Sequence, residues 1–267
     1  MIICKMGGAV DNRLLELEHF NTTLPLTNSF KIKKICSNLF FAYQAHKSPK
    51  IVRILNETPQ MLESKSFIKT TAKLDKNTYL TGYFQHLHCF SHITHLLRDE
   101  FRLKRPLTHK AQTLRNRILS TQNATFLHIR RGDFMNIPFL IKLGSGYYSG
   151  AIKALKRRLK NPHIFVFSDD IEFAKTHFLN SIDTNGIELD FIDSGSTIED
   201  FCLMQSCKNA IIANSTFSWW AAYLIDNSDK IVAIPSRFFY DDTIPKVSYI
   251  KPEGYIEIDY NWGFEVK

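Results

Sequence analysis

The 267-residue chain lacks the short motifs that mark most enzyme classes. It has no Walker loop and no G-x-G-x-x-G, which removes the common nucleotide fingerprints. It has no G-x-S-x-G, no Cys–His signature and no His-Glu-x-x-His, which removes the serine hydrolase, thiol protease and zincin readings. The five cysteines, Cys4, Cys36, Cys89, Cys202 and Cys207, are odd in number and form no C-x-x-C. That pattern excludes a disulfide framework or zinc knuckle and predicts free thiols. No apolar run reaches the roughly 20 residues that span a bilayer. The opening Met-Ile-Ile-Cys-Lys-Met is too short for a signal peptide, so the protein is expected to stay in the cytoplasm, where it is made. On that expectation, the sequons at Asn21, Asn56, Asn123 and Asn214 are chance matches. Repeats and low-complexity linkers are missing too.

What is present is an ordinary globular composition, 44 % hydrophobic and 22 % charged, with 21 Phe and 10 Tyr to fill a core. The net charge of +8 favours anionic partners: nucleic acid, phosphorylated metabolites or acidic membrane surfaces. No nucleic-acid motif accompanies it, and the notable arginines sit at strand ends rather than along one face, so no nucleic-acid partner is expected. The basic stretch Lys153–Lys160 reads as a solvated helix face or, less often, a membrane-surface contact. His88, His92 and His95 have the spacing of one helical face but no carboxylate beside them, so no metal site is expected.

Hydrophobic patterning is weak before Pro106. There, residues 2–6 and 79–84 read as strands, and 28–43 and 90–101 as helical stripes. Patterning is strong after Gln122. Short apolar strands are predicted at 126–129, 164–167, 188–192, 210–213 and 230–234. Helices alternate with them at 147–159, from 171, at 197–207 and at 216–225, after a basic helix at 108–119. Ser196 and Glu199 form a capping-box pattern, and Asp170 is a helix cap. Five strands alternating with helices predict an α/β fold with a parallel, doubly wound sheet, whose ligands bind at the carboxyl ends of the strands. The domains are drawn at 1–115 and 116–267.

Three strand ends carry chemistry. The first reads His128-Ile129-Arg130-Arg131-Gly132-Asp133. Guanidinium forks suit bidentate phosphate contacts, and Asp133 is placed to orient one of them. The second, Ser168-Asp169-Asp170, offers Asp169 as an acceptor for a ribose or purine edge. The third, Asn214-Ser215-Thr216-Phe217-Ser218-Trp219-Trp220, opens a helix with hydroxyl residues, a favourable anion site.

These segments resemble a known family. His128 to Phe134, Leu203 to Lys208 with Ile211 to Trp220, and Tyr79 to Gln85 are similar to the hallmarks of α1,2-fucosyltransferases, glycosyltransferase family 11, over most of residues 79–240. The resemblance is of bacterial flavour, to enzymes that decorate lipopolysaccharide or capsule. It implies a GT-B-like pair of Rossmann-like domains, with GDP-fucose in the C-terminal one and a galactose-terminated glycan acceptor in the N-terminal one. It also implies inverting transfer to a 2-hydroxyl without a metal ion or other cofactor. Peripheral contact with the inner membrane is admitted. By carry-over, Arg130 holds the pyrophosphate, with Arg131 and Asn214 also on the donor side. His128 and Asp169 contact the guanine, and Ser215, Thr216 and Ser218 line the phosphates. Asp133 is assigned as base on position alone. Family members usually begin with a strand and Gly-Gly-x-Gly-Asn-Gln. Here Gly7-Gly8 runs into Ala9-Val10-Asp11-Asn12, as if a βα unit were missing. The expectation is a truncated N-terminal domain and, as the alternative function, a GDP-sugar-binding remnant with impaired catalysis.

Overall fold

Ala124 to Ile129 are all buried, and this continuous run of six residues, broken only by Thr125 and His128, can only be a strand covered on both faces. It is the centre of a parallel sheet. The structure, a computed structural model, describes residues 3–4, 16–23, 26–27, 53–56, 78–81, 84–241 and 246–266. The chain divides into two units, residues 1–106 and 107–267.

In the first unit, β1 (Ile3–Cys4) pairs in parallel with β2 (Leu26–Thr27), and β3 (Arg53–Asn56) with β4 (Thr78–Thr81). Phe20 is buried against Phe101 and bridges to Leu103, beside helix α1 (Thr94–Glu100). The expected helical stripe at 90–101 begins later than its pattern. Residues 87–89 and 91–93 are separate 3-10 turns with Phe90 between them, so His88, His92 and His95 do not share a helix face. The expected helix at 28–43 and the Gly7-to-Asn12 segment lie outside the described residues.

The second unit holds β5 (Ala124–Ile129), β6 (His163–Ser168), β7 (Glu188–Ile192), β8 (Asn209–Ile211), β9 (Val232–Pro235) and β10 (Ile256–Ile258), all parallel. Their order across the sheet is β10-β9-β8-β5-β6-β7. The chain winds outward from β5 in one direction, then returns to β8 and winds the other way. This is the doubly wound order, and its reversal falls between β5 and β8. Ile256–Ile258 was not among the expected strands. Ile-Glu-Ile is too short and too polar to stand out, although the left-handed Gly254 before it (φ 84°) marks the turn that launches it.

The intervening helices are α2 (His109–Ser120), α3 (Ser145–Lys156), the single turn α4 (Ile171–Phe173), α5 (Thr197–Gln205), α6 (Thr216–Leu224) and α7 (Val247–Ile250). α4 continues as a π-turn over Ala174–Phe178. Asp170 caps α4 through the Phe173 N–H, as expected. Ser196 caps α5 through Glu199 N, but the reciprocal half of the capping box does not form. The buried Glu199 carboxylate instead accepts from the N–H and hydroxyl of Thr108, at 2.6 and 2.9 Å, and Thr108 in turn caps α2. A buried carboxylate needs such partners, and a second helix start supplies more of them than its own. Lys230 Nζ donates to the carbonyls of Ala222, Tyr223 and Ile225 and so closes the end of α6.

Tyr147, Tyr148, Ile152 and Leu155 of α3 pack into one core with Leu127, Ile164 and Val166. Arg157 and Arg158 both pair with Glu265, with Arg158 Nη2 at 2.8 Å. Hydrogen bonding from Arg158 and Arg157 holds the Glu265 carboxyl down to about 2 from its ordinary 4.5. A carboxyl depressed in the folded state stabilises the fold above its unfolded value and loses that contribution as pH falls through the folded one. Glu265→Gln should therefore lower the melting temperature by about 2–4 °C at pH 7. The gap to wild type should close as pH falls from 4.5 toward 2, which thermal melts followed by circular dichroism would read.

Candidate functional site

Strand register decides which side chains meet. β5 pairs with β6 up to Ile129↔Ser168 and with β8 up to Leu127↔Ile211. The residues that follow each strand therefore emerge side by side at the carboxyl edge, at the switch point of the sheet. Those are the three strand ends singled out by sequence.

Arg130 lies at the middle of this edge, its side chain 22 % exposed. Its Nη2 is 2.5 Å from Asp133 Oδ1, and its Nη1 is 2.7 Å from Asp169 Oδ2. Its guanidinium also stands 5.1 Å from the centre of the Phe134 ring. Asp169 accepts from the backbone N–H of Arg131 at 2.8 Å as well, so both of its oxygens serve the arginine loop. Gly132 allows this approach, because a Cβ there would collide with the Asp169 carboxylate. Arg131 stacks on Phe173 with its guanidinium carbon 3.4 Å from the ring centre, and its Nε is 3.6 Å from Asp170.

His128 is buried in the last part of β5, its ring 5.7 Å from that of Phe217. Burial, with a smaller push from the Arg130 charge, lowers its pKa to about 3, so the imidazole is neutral across the working range of pH. Its Nδ1 is buried and has no hydrogen-bond partner among the described residues. The Tyr148 hydroxyl donates to the His128 carbonyl at 3.0 Å, and that of Tyr147 to the Ile212 carbonyl at 2.6 Å. Two adjacent tyrosines of α3 thus fix the ends of β5 and β8 from beneath.

The β8-to-α6 turn divides the expected residues by role. Asn214 is buried, and its Nδ2 donates to the carbonyls of Ile141 and Phe238 at 2.8 and 2.9 Å. It ties together the loops that follow β5 and β9. Ser218 is wholly buried, accepting from Ala213 N and donating to the Ser215 carbonyl. It holds the turn in shape. Ser215 occupies the N-cap position without a side-chain capping bond, and Thr216 is exposed at the first position of the helix. The first N–H groups of the nine-residue α6 open beside these two hydroxyls, and a helix N-terminus favours an anion.

Sequence reasoning missed Lys142, whose Nζ donates to the carbonyls of Phe134 and Ile137 and pins the loop after the arginines. Burial lowers its pKa. The basic stretch of α3 is partly engaged, since Glu265 holds Arg157 and Arg158 and Lys156 donates to the Asn185 carbonyl. Cys89, Cys202 and Cys207 are free thiols. Among the described residues no cluster of three His, Cys, Asp or Glu has metal-binding geometry, and no helix is long and apolar enough to cross a membrane.

A doubly wound sheet with arginines and a helix N-terminus at its switch point is an α/β unit whose strand-end edge suits a phosphate-bearing ligand. Comparison with known proteins narrows this. The profile of glycosyl transferase family 11 matches residues 11–257. The Escherichia coli O-antigen biosynthesis glycosyltransferase WbnK is 35 % identical over 184 residues, 65 % of this chain and 59 % of that protein. An Escherichia coli alpha-1,2-colitosyltransferase is 31 % identical over 219 residues, 78 % of this chain and 74 % of its own. The Bos taurus galactoside 2-alpha-L-fucosyltransferase SEC1 is 29 % identical over 162 residues, 58 % of this chain and 44 % of that protein. The chain belongs to glycosyl transferase family 11, and it spans between about half and three quarters of these relatives' lengths.

Removing the Asn214 amide leaves the buried Ile141 carbonyl without that donor. Asn214→Ala should destabilise the second unit by about 1–3 kcal/mol in urea titrations. A change below ~0.5 kcal/mol would mean that the tie between the two loops carries no weight.

Proposed function

We propose that the protein transfers L-fucose from GDP-fucose to the 2-hydroxyl of a galactose-terminated glycan, with inversion and without a metal ion. One observation carries the reading. A guanidinium is fixed at the sheet's switch point by carboxylates from two adjacent strand ends, beside a helix N-terminus opened by Ser215 and Thr216. Charge grows on the β-phosphate as the glycosidic bond breaks. A cation already aimed there stabilises the transition state more than the ground state.

The electrostatics suggest an exchange. Arg130 arrives with two carboxylates, and both oxygens of Asp169 are engaged by the arginine loop. Asp133, 42 % exposed, is the partner that a β-phosphate oxygen would replace at Nη2. Released, its carboxylate takes the proton of the acceptor hydroxyl as that oxygen bonds to the anomeric carbon. The bond to the β-phosphate breaks with its electron pair leaving on GDP. Arg131 supplies further positive charge on the donor side. His128, neutral with an open buried nitrogen, and Asp169 remain the guanine contacts assigned by family likeness. Asn214 and Ser218 act by holding the loops and turn. Acceptor recognition is assigned to residues 1–115 on the same likeness, and the reaction to the cytoplasm.

A second reading concerns the sugar. The relative named for colitose transfer covers 78 % of this chain, against 58 % for the bovine fucosyltransferase. GDP-colitose is therefore the alternative donor, with the α1,2 linkage unchanged.

Incubation of both donors with lactose in the presence of EDTA, followed by product analysis, separates these readings. Transfer should occur with one donor and survive chelation. Arg130→Ala should slow it by at least ~10²–10³-fold, with circular dichroism showing that the variant is folded. An Arg130→Ala variant with full activity would remove the assignment. GDP binding without turnover from either donor would leave a GDP-sugar-binding remnant.

A further inference from the structure

Residues 259–266 form a strip that turns back on β10, with Glu265 bridged antiparallel to Ile258, and that lies against one face of α3. Asn261 lies against Gly146 and Gly263 against Gly150, so closely that a Cβ at either helix glycine would strike a carbonyl of the strip. Gly263 itself takes φ 78°, which suits glycine alone. Farther along, Arg157 and Arg158 grip Glu265. Gly146, Gly150, Lys153 and Arg157 are spaced as one helical stripe, so the strip follows a single face. Its backbone is tied at both ends. Asp259 accepts from the N–H groups of Asn261 and Trp262 at 3.0 and 2.6 Å, Asp259 N donates to the Phe264 carbonyl, and Val266 N donates to the Glu257 carbonyl.

The backbone carbonyls of Asn261 and Gly263 and the side chain of Glu265 meet the helix, while the neighbouring apolar side chains stand in solvent. Trp262 is 78 % exposed, Phe264 58 % and Val266 38 %. Three apolar side chains are therefore presented to solvent by a backbone that is fixed in place. The strip lies beyond residue 257, where the family match ends. Lys153, Lys156, Arg157, Arg158 and Lys160 are exposed along and just after the same helix, and Glu265 pairs with two of them. Indole and phenyl rings beside a cluster of cations match the water–lipid boundary of an acidic bilayer. There the rings lie at headgroup depth, and each nearby cation adds attraction. The apolar area on offer is on the order of 400 Å², about half of what each partner commits to a stable protein interface.

We propose that this strip is a docking surface for an anionic lipid bilayer, with Trp262 and Phe264 entering the headgroup layer and the α3 cations meeting acidic headgroups. The proposal stands apart from the identity of the transferred sugar.

Co-sedimentation with vesicles tests it, using mixed phosphatidylglycerol and phosphatidylethanolamine against pure phosphatidylcholine. The wild-type chain should pellet with the anionic vesicles, with a bound fraction that falls as salt rises. The Trp262→Ala, Phe264→Ala double variant should partition roughly tenfold more weakly or worse, and so should Lys153→Glu with Lys160→Glu. Thermal melts matching wild type would show that both variants are folded. Absence of wild-type binding, or equal binding by wild type and the folded variants, would overturn the proposal. So would a wild-type dimer in sedimentation velocity that Trp262→Ala converts to monomer, because the occupant would then be a second copy of the chain.

Discussion

The pairing of Arg130 with two carboxylates, one from its own loop and one from the next strand, is the constraint around which the second unit is arranged. A long side chain in water samples many rotamers, and a guanidinium is useful for catalysis only if its direction is settled in advance. Asp169 supplies that direction. It can reach Arg130 only because β5 and β6 run parallel in a register that ends both strands at the same level, and because Gly132 leaves room for its oxygen. Asp170 then caps α4, which carries the Phe173 ring on which Arg131 lies. Each of these is a separate local preference, and together they point two cations at one edge of the sheet.

The residues at that edge serve two different purposes. Arg130, Arg131, Asp133, Ser215 and Thr216 are the residues to which the proposed function gives donor binding and catalysis. Asn214, Ser218, Lys142, Tyr147 and Tyr148 spend their polar atoms on backbone carbonyls and N–H groups of the loops and strand ends. A strand-end site is built from loops, and loops have no ladder of their own to hold them. Buried side-chain donors supply what the ladder would. Membership of glycosyl transferase family 11 and this arrangement are consistent with each other, since transfer from a sugar nucleotide asks for a fixed positive edge rather than for a nucleophile.

Much of this was legible in the sequence because the signals are local. The run Phe126 to Ile129, the double arginine after it, and the caps Asp170 and Ser196 are all read within a few residues, and parallel strands buried on both faces leave unbroken apolar runs. What the sequence hid depends on distant partners. Asn214 is spent on carbonyls 73 and 24 residues away, and Glu199 on Thr108, 91 residues earlier. A capping box read from Ser196 and Glu199 failed by half because a buried carboxylate went to that distant donor pair. Ile256–Ile258 escaped because an edge strand of three residues buries too little to impose a pattern. The His88, His92 and His95 face dissolved because a break at Phe90 cannot be seen in their spacing.

The proposed role of the strand-end edge is to hold a pyrophosphate, and the most direct test compares ligands that differ by one phosphate. Calorimetric titration of the wild-type chain with GDP and with GMP, without added metal, measures what the second phosphate contributes. If Arg130 takes the β-phosphate, GDP should bind about tenfold or more tightly than GMP, a gap of at least ~1.4 kcal/mol. Equal affinities for GDP and GMP would mean that the arginine edge does not hold the pyrophosphate, and the role given to Arg130 would be contradicted.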